Sequence, residues 1–134
     1  MTPFSLKIVT PDGVRFDGQA EEVIVRTTTG DLGILAGHIN CVAPLGMGRA
    51  TVTVDGEKRY GACIGGIVSV VGGAVSLVPT TFEWAEDIDV PRAERSYERA
   101  QAVLDSKTST DTEILLAKAR LRRALIRKEV GKIK

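Results

Sequence analysis

The run YGACIGGIVSVVGGAVSLVPTTF, residues 60–82, carries no charge over 23 residues. A helix of that length crosses a bilayer, so the reading of this stretch decides the fold. Its composition argues against a helix. Gly61, Gly65, Gly66, Gly72, Gly73 and Pro79 divide it into runs of five or six residues, and the apolar residues between them are mostly Val and Ile. β-branched runs bounded by Gly-Gly pairs read as strand–turn–strand. The stretch predicts strands at residues 67–71 and 74–78 joined by Gly72-Gly73, and no membrane span.

The same grammar extends toward the N-terminus. Residues 4–10 alternate, with Phe4, Leu6 and Ile8 against Ser5 and Lys7. Pro11-Asp12-Gly13 is a turn, because proline presets φ and glycine supplies positive φ. Short strands follow at residues 14–16, around Val23-Ile24-Val25, and at 32–35 after the turn Thr29-Gly30-Asp31. Ala36-Gly37-His38 turns again. Residues 49–54 and 57–64 flank Asp55-Gly56, a strong hairpin signal. About nine or ten short strands with turns every 8–12 residues predict an all-β sandwich or barrel.

Near Glu86 the pattern changes: glycine is absent from Gly73 to Gly131. Asp89 reads as a helix N-cap with Pro91 in the first turn. Ala93, Tyr97, Ala100 and Leu104 follow at helical spacing. After a polar break, Thr110 and Glu113 fit a capping box, and Ile114, Ala117, Leu121 and Leu125 form a second stripe. Gly131 falls where a C-terminal stop is expected. Two helices joined by a short loop pack antiparallel. The fold expected is α+β: a sandwich over residues 1–86, then a two-helix hairpin over 87–134. Alanine contacts bury little area, at about 25 cal/mol per Å², so the hairpin is expected to open or detach.

Charge follows the same division. Residues 1–87 carry 6 Lys/Arg and 10 Asp/Glu, a net of −4; residues 88–134 carry 12 and 7, a net of +5. Cys41 and Cys63 have no metal-like spacing and read as small buried thiols of a reducing compartment. The N-terminus lacks the basic and apolar regions of a signal peptide. With one histidine, His38, no histidine-rich metal site or catalytic centre can be assembled, and no serine lies in a Gly-x-Ser-x-Gly elbow. Gly46-x-Gly48 and Gly65-Gly66 lack phosphate-loop spacing. No catalysis is expected.

The basic tail comprises Lys118, Arg120, Arg122, Arg123, Arg127, Lys128, Lys132 and Lys134, against the single acid Glu129 over residues 118–134. Its residues fit a solvated helix face, a surface for nucleic acid or an anionic membrane, or a grip on an acidic protein or phosphate. The tail has no aromatic residue, which weakens single-strand nucleic-acid binding. Arg92, Arg95 and Arg99 lie on one face of the first helix, and Arg123 and Arg127 on one face of the second. A folded hairpin that joined these stripes would favour a polyanion, because guanidinium forks match phosphate oxygens.

At this point the sequence resembles the epsilon subunits of bacterial F-type ATP synthases. TGDLGILAGH at residues 29–38 is similar to that family's (S/E)-G-E-x-G-I-x-P-G-H segment. Val9-Thr10-Pro11-Asp12-Gly13, Gly65-Gly66 and EDIDVPRA at residues 86–93 match further family segments in order. Ala36 stands for the family's proline, Asp31 for its glutamate, and Val103 for an arginine of ATP-binding members. The resemblance implies a non-catalytic subunit on the rotor, touching gamma and the c-ring with the segment that holds Asp31 and His38. It implies a mobile hairpin that inhibits ATP hydrolysis by reaching the alpha/beta catalytic subunits, with Arg122, Arg123, Arg127 and Lys128 on its basic helix. Ile88-Asp89-Val90-Pro91-Arg92-Ala93 resembles the signature of members whose folded hairpin binds ATP. The site implied is Glu83, Ile88 and Asp89 on adenine and ribose, with Arg92, Arg99, Arg123 and Arg127 on phosphates beside Ala93. The implied location is peripheral, at the cytoplasmic face of a bacterial membrane, held there only through the complex. No nucleic acid and no metal are required. The rival reading is a free-standing module whose basic helices bind nucleic acid or an anionic membrane.

Overall fold

A computed structural model describes residues 1–133. Lys134, the last member of the basic tail, lies outside the described residues. The chain divides into two compact units, Met1–Trp84 and the residues from Ala85 onward.

The first unit is a sandwich of two five-stranded sheets. One has the order β2 (Gly13–Ala20), β1 (Phe4–Thr10), β9 (Ala74–Val78), β8 (Ile67–Val71), β5 (Cys41–Pro44). The other runs β10 (Thr81–Trp84), β7 (Glu57–Ile64), β6 (Met47–Val54), β3 (Glu22–Thr27), β4 (Gly30–Ile34). All pairings are antiparallel except β1 with β9, where Leu6 faces Val75 and Ile8 faces Leu77. The uncharged run of residues 60–82 is thus the end of β7, then β8, β9 and the start of β10. No helix among the described residues is long and apolar enough to cross a membrane.

Period-two alternation places the core. In β1, Phe4, Leu6, Ile8 and Thr10 are buried while Ser5 and Lys7 are exposed. The apolar residues of β1 meet Val23, Val25 and Val52 of one sheet and Val68, Val70 and Leu77 of the other in a single cluster. The Asp55-Gly56 turn takes positive φ at both residues, as a tight hairpin requires. Gly61 is needed for another reason: a Cβ there would lie 2.3 Å from Phe82 Cζ. Trp84 closes one side, donating its indole N–H to the Arg15 carbonyl at 3.1 Å and packing edge-on against Phe82 and Phe16.

Several local expectations change. Two strands carry no clear signal of their own. β5 is four residues long and ends in Pro44, which is tolerated on a sheet edge. β10 begins two residues after Pro79 and pairs only with β7. The strand expected at residues 14–16 runs from Gly13 to Ala20, because its full length pairs with β1. Cys63 is buried, but Cys41 on the edge strand is only half-buried.

The second unit opens with a short 3-10 turn at Ala85–Asp87, then α1 (Val90–Asp105) and α2 (Asp111–Gly131). Asp89 caps α1, its Oδ1 accepting from the Arg92 N–H at 3.1 Å. Thr110 caps α2, its Oγ1 accepting from the Glu113 N–H at 3.2 Å. The return bond differs from a standard capping box: Glu113 Oε1 accepts from the Thr110 hydroxyl at 3.1 Å.

The second stripe also shifts. Ala117 and Ala124 are buried, Ile114 and Leu121 half-buried, and Leu125 is 38% exposed. At about 100° per residue, Ala124 falls about 20° to one side of Ala117 and Leu125 about 80° to the other. Gly131 does not stop the helix in a left-handed conformation. It is the last helical residue, it is buried, and Lys132 caps it in the right-handed region.

Candidate functional site

Asp31 lies on β4 beside the β3–β4 turn, and His38 on the turn that follows the other end of that strand. Asp31 Oδ1 pairs with Arg26 Nε at 2.9 Å across the β3–β4 ladder. The Arg26 stem lies against β6 at Gly48, where a Cβ would come within 2.6 Å of Arg26 Cβ. His38 is half-buried; its Nδ1 lies 2.8 Å from the Ile39 carbonyl and therefore carries the proton. The Cys41 Sγ sits 4.0 Å from that nitrogen. Asn40, which sequence reasoning passed over, accepts from the Gly72 N–H at 2.9 Å and ties this loop to the β8–β9 turn. Leu35 and Ile39, 47% and 78% exposed, make the tip apolar. A short polar-apolar loop of this kind suits packing against another protein surface better than chemistry.

The second candidate set divides between the units. Glu83 is half-buried on β10 of the sandwich, opposite Ala62 of β7. Ile88, Asp89, Arg92, Ala93, Arg99, Arg123 and Arg127 all belong to the helical unit. Ile88 and Ala93 are buried at 2% and 0% exposure, so their side chains are packing residues. Asp89 is already engaged as an N-cap. Arg92, Arg99 and Arg123 are exposed and Arg127 is half-buried. Arg99 Nη2 donates to Ser96 Oγ at 3.2 Å.

Helical phase decides which of these share a side. About the inward stripe Ala93–Tyr97–Ala100–Leu104, Arg92 and Arg99 fall to one flank of α1 and Glu94 and Asp105 to the other. About Ala117–Leu121–Ala124, Arg123 and Arg127 fall to one flank of α2, and Lys118 and Lys132 to the other. Equal rotations on antiparallel helices land on the same side of the pair. Two contacts fix the sense: Lys132 Nζ lies 3.4 Å from Glu94 Oε1, and Lys128 Nζ lies 4.4 Å from the centre of the Tyr97 ring.

The hairpin is thus two-sided. On one flank the acids of α1 face the bases of α2. On the other, Arg92 and Arg99 share a side with Arg123 and Arg127, and with Arg120, which sequence reasoning left in the general tail. The four residues of the proposed inhibitory helix separate accordingly: Arg123 and Arg127 on the arginine flank, Arg122 turned outward, and Lys128 over Tyr97. Among the described residues there is no group of three or more His, Cys, Asp or Glu that could hold a metal ion.

Fold and site together define a β-sandwich continued into a small-residue helical hairpin with one arginine-lined flank. The family model for the ATP synthase delta/epsilon chain beta-sandwich domain matches residues 3–85, and that for the delta/epsilon chain long alpha-helix domain matches residues 86–130. The chain is 40% identical over 132 residues to the ATP synthase epsilon chain of Ruminococcus albus, covering 98% of each. It is 43% identical over 103 residues to that of Alkaliphilus oremlandii, covering 77% of each. A chain of the Euglena gracilis mitochondrial ATP synthase shares the fold with TM-score 0.84 at 21% identity, covering 100% of this chain and 83% of that one. A chain of the Tetrahymena thermophila mitochondrial central stalk and c-ring does so with TM-score 0.66 at 15% identity, covering 95% of both. The chain belongs to the ATP synthase delta/epsilon chain family, a family of non-catalytic subunits.

Proposed function

We propose that this chain is the epsilon-type coupling and regulatory subunit of the central stalk in a bacterial F-type ATP synthase. In this reading the sandwich binds the gamma subunit and the c-ring, using the segment that carries Asp31 and His38. The subunit is peripheral, held at the cytoplasmic face of the membrane through the complex. The hairpin inhibits ATP hydrolysis when it reaches the alpha/beta subunits, and it binds ATP when folded. The observation that carries the ATP reading is the one-sided grouping of Arg92, Arg99, Arg123 and Arg127. Guanidinium groups sharing one flank are matched to a row of phosphates. Within the helical unit, Asp89 is assigned to the base and ribose by family resemblance. The Asp89 carboxylate then keeps its capping bond and offers its second oxygen to the ligand.

Calorimetric titration of ATP into the isolated chain tests the ligand. Heat of binding is expected, and Arg99→Ala or Arg123→Ala is expected to weaken affinity at least about tenfold, since a charged hydrogen bond contributes about 1.5–3 kcal/mol. No heat at millimolar ATP removes ATP sensing and leaves the subunit assignment in place. Hydrolysis by the assembled complex, with the full chain and with one ended after residue 86, tests inhibition separately. The nucleic-acid alternative calls for a salt-sensitive gel shift, and its absence at moderate salt discards it.

A further inference from the structure

Glycine is among the poorest helix formers, less favourable than alanine by about 1 kcal/mol inside a helix. Gly131 nonetheless sits within α2, with no positive φ that would call for glycine. What it has instead is a close neighbour 41 residues earlier in the chain. A Cβ at this position would lie 2.6 Å from Val90 Cγ2, 3.0 Å from Ile88 Cγ2 and 3.3 Å from Ile88 Cβ. Carbon atoms pack at about 3.5–4.0 Å, so a single methyl would force the end of α2 off the start of α1 by about 1 Å.

This contact lies at the open end of the hairpin, about 24 Å from the inter-helix loop by the length of α1. It does not act alone. Val130 beside it is 1% exposed. Lys132 pairs with Glu94 at 3.4 Å, and Lys128 covers Tyr97 at 4.4 Å. Between the clasped end and the loop, the buried residues of the two helices are alanines: Ala93, Ala100, Ala117 and Ala124. Small residues let helix backbones approach, but they bury little apolar area to hold them together. The grip is therefore concentrated where the chain can separate most freely.

We propose that the open end is a clasp whose catch is the missing side chain of Gly131 against Val90 and Ile88, and that this contact sets how readily α1 and α2 part. Lys128 is covered by Tyr97 only while the clasp is closed, so opening also frees a cation for another partner. The inference needs no nucleotide and stands apart from the ATP reading.

Amide hydrogen exchange on the full chain without ATP tests it. Helix propensity alone would make Gly131→Ala slow the exchange of α2. The clasp gives the opposite sign: exchange of α1 and α2 is expected to be roughly tenfold faster, as overpacking a tight contact would cause, with β1–β10 unchanged. Adding Val90→Ala removes the methyl nearest the new Cβ and leaves only the longer Ile88 contacts, so the double variant is expected to return most of the way to the rate of Val90→Ala alone. Slower or unchanged exchange in Gly131→Ala, or an acceleration that Val90→Ala does not relieve, overturns the proposal.

Discussion

Cys63 pairs with Gly48 on one side and Phe82 on the other, and this enclosure fixes its chemistry. Burial pushes its thiol pKa from 9.0 up to about 12, because a thiolate there would lose its hydration. The unfolded chain gives up this proton first. The contribution to stability is therefore complete below pH 9 and is lost as pH rises from 9 toward 12. A thiolate is the reactive form, so Cys63 should be inert near neutral pH. A colorimetric thiol reagent is expected to titrate one cysteine, the half-buried Cys41, in the native protein and both in denaturant. Rapid native reaction of both would contradict the enclosed position. That Cys63 is small and apolar in its setting was readable from the uncharged stretch around it. That Cys41 is only half covered was not, because its strand lies at a sheet edge that sequence does not reveal.

At the scale of the element, each helix start is fixed by its own residues. Asp89 and Thr110 each satisfy an orphan backbone N–H within three residues of themselves. Such bonds survive whatever the helix packs against, which is why they were legible in the sequence. Thr110→Ala is expected to weaken the hairpin by about 1 kcal/mol. The check is the helical circular dichroism signal in a urea titration, whose midpoint should fall. An unchanged midpoint would mean that α2 starts without its cap. The helix end was read differently by sequence and structure, for a physical reason. A glycine near a helix C-terminus commonly takes left-handed φ, but Gly131 is selected by the side chains that lie against it. The arginine stripes were legible as i, i+3 and i+4 spacings. Their meeting on one flank depends on the rotation of each helix about its axis, which the Glu94–Lys132 and Tyr97–Lys128 contacts set.

At the scale of the whole molecule, the sandwich holds its own core and hydrogen bonds. Its last residue, Trp84, is the only tryptophan, and its partners Phe16, Phe82, Arg15 and Arg59 are all within residues 1–84. A chain ended after Trp84 is therefore expected to fold, with a cooperative thermal transition read by tryptophan fluorescence. A red-shifted, featureless spectrum at low temperature would show that the sandwich depends on the helical unit for its stability. The helical unit, whose interior is mostly alanine, is expected to exchange its amides faster than the strands in the intact chain, as elements with few buried apolar contacts do.

Local chemistry determined where this chain turns, most of its strands and both helices, and where each helix begins. Glycine φ, proline, caps and the period of apolar residues act within a few positions of one another, so these features are written in the order of residues. Tertiary structure decided that β1 lies parallel to β9, that β5 and β10 complete the two sheets, that Leu125 turns outward, and that Gly131 is a contact surface. Each of these depends on atoms brought together from distant parts of the chain, and nothing local to the residues concerned encodes which partner will arrive.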